Sequence, residues 1–190
     1  GLNGSVRDAI GSCPLFANFG AVNLLSLSDV NDLGRILDPI EADALILHLN
    51  PMQEVFQASG DTNWTGVIER IAATCDWCPV PVIAKEVGFG LDVGSAKVLI
   101  DAGVDVLDVA GRGGTRFADI EIAMNAEIQQ RLSDQQLFDG WGYTTVECLQ
   151  MMQSSFPTQC CWASGGVRHG LDVAKALCLG ASAVGIAGRF

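Results

Sequence analysis

Near its C-terminal end the chain twice runs an apolar strand into glycine. The first stretch is Ala163-Ser164-Gly165-Gly166-Val167-Arg168 and the second is Ala183-Val184-Gly185-Ile186-Ala187-Gly188-Arg189. About twenty residues separate them, room for one short helix and its turns. Glycines at the C-terminal ends of consecutive parallel strands let backbone N–H groups approach an anion. Barrels of alternating strands and helices grip a phosphate at this place, after their last two strands. The pattern predicts a phosphorylated cofactor or substrate, and a chain that stops at the last strand of such a barrel.

The rest of the sequence repeats the same rhythm of strand, glycine or polar loop, and helix. Strands are predicted at 15–18, 44–49, 82–85, 104–109, 160–163 and 183–186, mostly short apolar runs bounded by Pro, Gly or Asp. Helices are predicted between them at 29–37, 63–73, 91–102, 117–132, 145–152 and 171–179. Strands alternating with helices imply right-handed crossovers and a parallel sheet. About six such units fill residues 1–190, whereas a closed eight-stranded barrel takes about 250 residues. The expectation is therefore one partial TM-free α/β domain, a TIM (β/α)8 barrel whose first two strands lie outside this sequence. A doubly wound open sheet fits less well, because no G-x-G-x-x-G turn follows an early strand.

Composition supports this and narrows the function. Hydrophobic residues make up 49% of the chain and the mean hydropathy is +0.31, as expected of strands buried on both faces. Eleven basic residues stand against 22 acidic ones, a net charge of −11 that argues against a nucleic-acid partner. No stretch reaches the roughly 20 apolar residues of a membrane span. The seven cysteines show no framework and sit in apolar segments, which predicts reduced core thiols in an intracellular, cytoplasmic protein. Cys75-Asp76-Trp77-Cys78 has no second pair to complete a zinc site and is expected to be a helix-to-strand junction. Trp64, Trp77 and Trp141 are expected to serve packing.

In a barrel, chemistry belongs at the C-terminal strand ends. Those ends carry Asn18, then His48 and Asn50, then Lys85 and Glu86, then Gly113, Gly114 and Thr115, then Ser164, Gly165 and Gly166, then Ala187 and Gly188. Lys85 would place a fixed positive charge beside an electron-rich ring or a phosphate, or else pair with a barrel carboxylate. His48 and Asn50, two apart on an extended strand, share a side. Gln53 and Glu54 are expected in the adjoining loop, where amide and carboxylate oxygens suit a hard cation such as Mg²⁺. Gly113-Gly114-Thr115 offers backbone N–H groups and a hydroxyl to a phosphate.

Taken in order, His48-Leu49-Asn50-Pro51-Met52-Gln53-Glu54, Lys85-Glu86-Val87-Gly88, Gly113-Gly114-Thr115 and Ser164-Gly165-Gly166 resemble type 2 isopentenyl diphosphate isomerase. The resemblance runs from Asn18-Phe19-Gly20-Ala21 to the end of the chain. It implies an FMN-dependent TIM barrel, assembled as a homo-oligomer, that interconverts isopentenyl and dimethylallyl diphosphate in isoprenoid biosynthesis. Reduced FMN and Mg²⁺ would be required, with NADPH as reductant. By resemblance, Asn18, Lys85, Gly113, Gly114, Thr115, Ser164, Gly165, Gly166, Ala187 and Gly188 bind the flavin nucleotide. His48, Asn50 and Gln53 bind the diphosphate substrate, with Gln53 and His48 catalytic, and Glu54 holds Mg²⁺. The family's first strands and N-terminal basic segment have no counterpart in this sequence. An FMN-dependent 2-hydroxy-acid oxidase is the alternative, but it needs an H-G-G-R element, and only Arg168-His169 stands near that place.

Overall fold

In the computed structural model, which describes residues 3–125 and 140–188, the strands lie parallel in one sheet. They are β1 (Phe16–Gly20), β2 (Ala44–Leu49), β3 (Val82–Glu86), β4 (Val106–Asp108), β5 (Cys160–Ala163) and β6 (Ala183–Val184), paired in chain order. Each predicted strand is present, β2 and β5 with the predicted bounds; β4 and β6 are shorter than the apolar runs that announced them. The connections hold helices α1 (Asn3–Ile10), α2 (Gly34–Leu37), α3 (Pro51–Phe56), α4 (Val67–Trp77), α5 (Val93–Asp101), α6 (Phe117–Met124), α7 (Thr145–Ser155) and α8 (Gly170–Cys178).

Local chemistry explains where the helices begin. Asp92 caps α5 by accepting from the Ser95 amide at 2.9 Å. Thr144 and Glu147 form a reciprocal capping box on α7. The predicted 63–73 helix starts only at Val67, because Gly66 at φ 85 leaves the helical region just before it. The predicted 29–37 helix is two tight turns, Val30–Leu33 and Gly34–Leu37, and residues 126–132 of the predicted 117–132 helix lie outside the described residues. Helices α1 and α3 were not anticipated.

Strand alternation gives the sheet two unlike faces. Leu45, Leu47, Ala84, Leu107, Cys161 and Ala163 point toward the helices and form one buried core with Ile71 of α4, Leu99 of α5, and Leu149 and Met152 of α7. Each buried Leu or Ile there contributes about 1.5–3 kcal/mol. The opposite face carries at its C-terminal edge a registered row: Gly20 pairs with His48, His48 with Lys85, Lys85 with Asp108, and Asp108 with Trp162. On this face the rings of Phe16 on β1 and Trp162 on β5 stand only 5.5 Å apart between centroids. Four strand spacings of a flat sheet would separate β1 and β5 by about 19 Å. The sheet is therefore strongly curled, with the polar row inside the curve, as the barrel expectation requires.

The cysteines divide. Cys148 and Cys161 are buried as expected, but Cys13 and Cys178 are exposed because they sit in a loop and on the outer side of α8. Trp141 is likewise largely exposed, in contrast to the packing role expected of it.

Candidate active site

Strand ends and the loops after them build the site. At the end of β2, His48 Nδ1 and Asn18 Oδ1 of β1 are 2.7 Å apart. The Asn18 oxygen can only accept, so Nδ1 carries the proton and Nε2 is an acceptor. Burial holds the His48 imidazole below its ordinary pKa; nearby Glu54 pulls it up and nearby Lys85 pushes it down. His48 is thus a neutral imidazole at pH 7.

Gln53 and Glu54 stand on a helix, not in the expected loop. Pro51 at the first position of α3 presets the helical φ, and Asn50, the single residue between β2 and α3, is the helix N-cap. Asn50 Nδ2 donates to Glu54 Oε1 at 2.6 Å, and the Asp61 amide donates to Glu54 Oε2 at 2.7 Å. Asn50 Oδ1 is buried and, among the described residues, has no partner. A carboxylate beside an unanswered amide oxygen is an all-oxygen donor set of the kind a hard cation or a substrate hydroxyl would complete. Gln53 Nε2 donates to Glu121 Oε1 of α6 at 3.0 Å, and Gln57 Nε2 donates to the same oxygen at 3.1 Å. A small cluster of Phe56, Phe89 and Ala118 locks α3 against α6 beneath this contact.

Lys85 closes the central part of the row. Its ammonium donates to the Glu86 carbonyl at 2.8 Å and faces Asp108 Oδ2 at 3.7 Å. Asp108 is only 6% exposed and accepts the Ser164 hydroxyl at 2.8 and 3.0 Å on its two oxygens. The second reading of Lys85 is the one the geometry shows: it pairs with a barrel carboxylate, Asp108, at the strand-end mouth. Next to it, Glu86 Oε2 accepts four backbone amides, from Val87, Gly88, Phe89 and Gly90, at 2.6–3.1 Å. Burial holds the Glu86 carboxyl above its ordinary pKa, against the downward pull of the four amides. This loop therefore hangs on one carboxylate oxygen.

The glycine loops after β4 and β5 meet face to face. A Cβ on Gly114 would stand 2.7 Å from the Gly166 nitrogen, and one on Gly166 would stand 2.8 Å from the Gly113 Cα. Their glycines are thus needed for the two loops to touch. Thr145 Oγ1 of α7 ties the arrangement by donating to the carbonyls of Ser164 and Gly165 at 2.7 and 3.0 Å. Among the described residues the amides of Gly113, Gly114, Gly165 and Gly166 donate to no protein group. Arg168 Nη2 reaches the Gly113 carbonyl at 3.4 Å. Clustered unpaired amides with a guanidinium alongside fit a phosphate. Thr115 follows in the same loop and is exposed, as are Ala187 and Gly188 after β6; Gly188, at φ 77, has open space where a Cβ would stand. Lys85, Asp108, Ser164, Gly165, Gly113 and Thr115 therefore form a continuous run around one mouth.

The sequence pattern of the FMN-dependent dehydrogenases matches residues 44–190, which takes in β2 to β6 and every loop just described after them. The chain belongs to the FMN-dependent dehydrogenase family. The family agrees with the expected barrel of FMN-binding type. Among curated proteins, this family member is 44% identical over 185 residues to the isopentenyl-diphosphate delta-isomerase of Stutzerimonas stutzeri (strain A1501), covering 97% of this chain and 53% of that protein. It is 44% identical over 189 residues to the enzyme of that name from Vibrio campbellii (strain ATCC BAA-1116), covering 99% and 55%. It is 48% identical over 178 residues to the one from Nostoc sp. (strain PCC 7120 / SAG 25.82 / UTEX 2576), covering 93% and 50%. The chain spans about half the length of the curated relatives it matches.

Four residues at or beside this mouth hold positions for which their place in the sequence assigned no role: Asp108, Glu86 as an anchor, Glu121 and Arg168. Asp108 had a readable signal, since it closes an apolar strand just before the glycine loop. Glu121 had none, because its partner Gln53 is 68 residues away. A wide cleft of about 1050 Å³ opens beside α4 and α5, lined mainly by apolar side chains such as Trp64, Val98 and Trp141, and it reaches the ends of β2 and β3 at Leu49, Glu86 and Phe89. No helix among the described residues is long and apolar enough to cross a membrane.

Proposed function

We propose that the polypeptide carrying this chain is a type 2 isopentenyl diphosphate isomerase, acting in isoprenoid biosynthesis in the cytoplasm as a homo-oligomer, with FMN, Mg²⁺ and NADPH as reductant. The observation that carries the reading is the continuity of one mouth. On one side stand the lysine and the glycine loops; on the other stand His48, Asn50, Gln53 and Glu54.

The fit to FMN rests on the unpaired glycine amides and on Arg168, which would hold the phosphate, and on Lys85, which would face the ring. When bound, reduced FMN supplies an electron-rich ring able to stabilise a cation-like state and to exchange a proton. Glu54, with Asn50 Oδ1 beside it, would hold Mg²⁺, whose charge would offset the diphosphate. The isomerisation adds a proton to one carbon and removes one from another, so nothing is oxidised overall. His48 offers Nε2 as a hydrogen-bond acceptor while Asn18 fixes its ring. Gln53 is a poor acid by its own chemistry, but Glu121 holds its NH₂ group and so leaves its oxygen to orient the substrate.

The test is incubation of the full polypeptide with isopentenyl diphosphate, Mg²⁺, FMN and NADPH without oxygen, followed by product analysis. Dimethylallyl diphosphate is expected, and its formation should stop when Mg²⁺ is chelated. Absence of product from protein with intact reduced flavin overturns the proposal. Bleaching of the flavin by a 2-hydroxy acid would support the oxidase instead. Against the oxidase stands His169, whose Nδ1 is 3.2 Å from Asp172 in an exposed pair at the start of α8.

A further inference from the structure

Asp108 joins three loops of the site and has no part in the reading above beyond its pairing with Lys85. Its two oxygens accept the Ser164 hydroxyl at the end of β5, and Oδ2 faces the Lys85 ammonium at the end of β3 at 3.7 Å. Oδ1 also accepts the Ala110 amide at 3.3 Å. Ala110 is a buried non-glycine residue at φ 34, so that bond supports a turn an alanine adopts only under constraint. The turn leads directly into Gly111-Arg112-Gly113-Gly114. One buried carboxylate thus fixes the lysine, the serine and the start of the glycine loop together.

A lysine near an electron-rich ring has two settings. Unbalanced, its full charge favours the reduced, more negative ring. Balanced by a buried carboxylate, it favours the reduced ring less. The register places Asp108 directly opposite Lys85, on the same inner row, so the balance is built into the sheet. Among the described residues Lys85 makes one hydrogen bond, to a neutral carbonyl, and one ion pair, with the Asp108 carboxylate.

Resting on the flavin site proposed above, we infer that Asp108 is a positioning residue that holds Lys85 at the ring and lowers its effective charge there, setting the ratio of affinities for reduced and oxidised FMN. Removing a buried unit charge beside a group that gains electrons shifts such an equilibrium on the order of tenfold.

The experiment measures the midpoint potential of bound FMN in the full polypeptide, against a reference dye, together with FMN affinity and thermal unfolding. Asp108→Asn is expected to keep FMN binding within about threefold and to raise the preference for reduced FMN about tenfold, or about 30 mV for a two-electron couple. Asp108→Glu, which keeps the charge, is expected to stay near the wild-type potential. A shift under about threefold in Asp108→Asn overturns the inference, as does an equal shift in both variants, because either result removes charge as the cause. Loss of FMN from a stably folded Asp108→Asn also overturns it, by making the role purely structural. If Asp108→Asn does not fold, Ser164→Ala decides. It removes only the competing hydroxyl donor, so the carboxylate should pair more closely with Lys85 and the preference for reduced FMN should fall; an unchanged potential there overturns the inference. A wild-type polypeptide that binds no flavin refutes the site reading itself, whereas a flavin-bearing wild type with an unshifted Asp108→Asn refutes only the role of Asp108.

Discussion

Gly166 and Gly188 have the same backbone twist, φ 77, in opposite surroundings. A Cβ on Gly188 would meet nothing within 4 Å, whereas one on Gly166 would run into the carbonyl and Cα of Gly113. Replacing each with alanine therefore separates two reasons for a glycine. The left-handed conformation alone costs a side chain about 1–2 kcal/mol, and Gly188→Ala should show only that. In Gly166→Ala the loops after β4 and β5 must also part by roughly 1 Å, which adds about 1–3 kcal/mol for an overfilled contact. Their separation also spreads the amides proposed to hold the phosphate. The assay is urea unfolding of the flavin-free full polypeptide, followed by FMN titration. Gly166→Ala should be less stable than Gly188→Ala by about 2 kcal/mol and should bind FMN at least tenfold more weakly than wild type. Equal stability losses in the two variants would refute the claim that loop contact, not backbone twist, demands Gly166.

Other perturbations address the rest of the site. Glu86→Ala strips four amides of their shared acceptor and should lower stability in urea by about 3 kcal/mol or more, while a loss below about 1 kcal/mol would show that water replaces the carboxylate freely. Glu121→Gln should reduce kcat about tenfold with FMN still bound, since it weakens the hold on Gln53; an unchanged kcat would sever that link. Because the folded protein holds His48 below its ordinary pKa, the unfolded chain takes up its proton first as pH falls. The stability this contributes is complete above about pH 6.5 and is lost as pH falls from there through the folded value. Wild type should therefore lose stability relative to His48→Gln between pH 8 and pH 5.5, and parallel pH profiles would contradict it.

Much of this was readable from the sequence because parallel strands write themselves plainly. Ala44–Leu49 and Cys160–Ala163 are continuous apolar runs closed by polar or glycine residues, and the structure keeps both bounds. Helix starts were less legible where a glycine intervened, as at Gly66, and where Asp29 caps a tight turn instead of a full helix. Short α3 escaped notice because six residues are too few to show a period. At the site, residue types at strand ends pointed to Lys85, His48 and the glycines. Partnerships were another matter: nothing in the letters distinguishes Glu86, which gathers four amides, from Glu54, which takes one amide and one side chain. Such choices are made by folding, when distant segments arrive at the same oxygen.

The inner row from His48 through Lys85 to Asp108 also limits how this protein can change. Successive side chains of a strand alternate between its two sides. Deleting one residue from the middle of β3 would turn Lys85 outward among the leucines beneath the helices and bring Glu86 to the mouth in its place. Altered chemistry in descendants of this chain should therefore arise by exchanging letters within the row, while strand lengths stay constant.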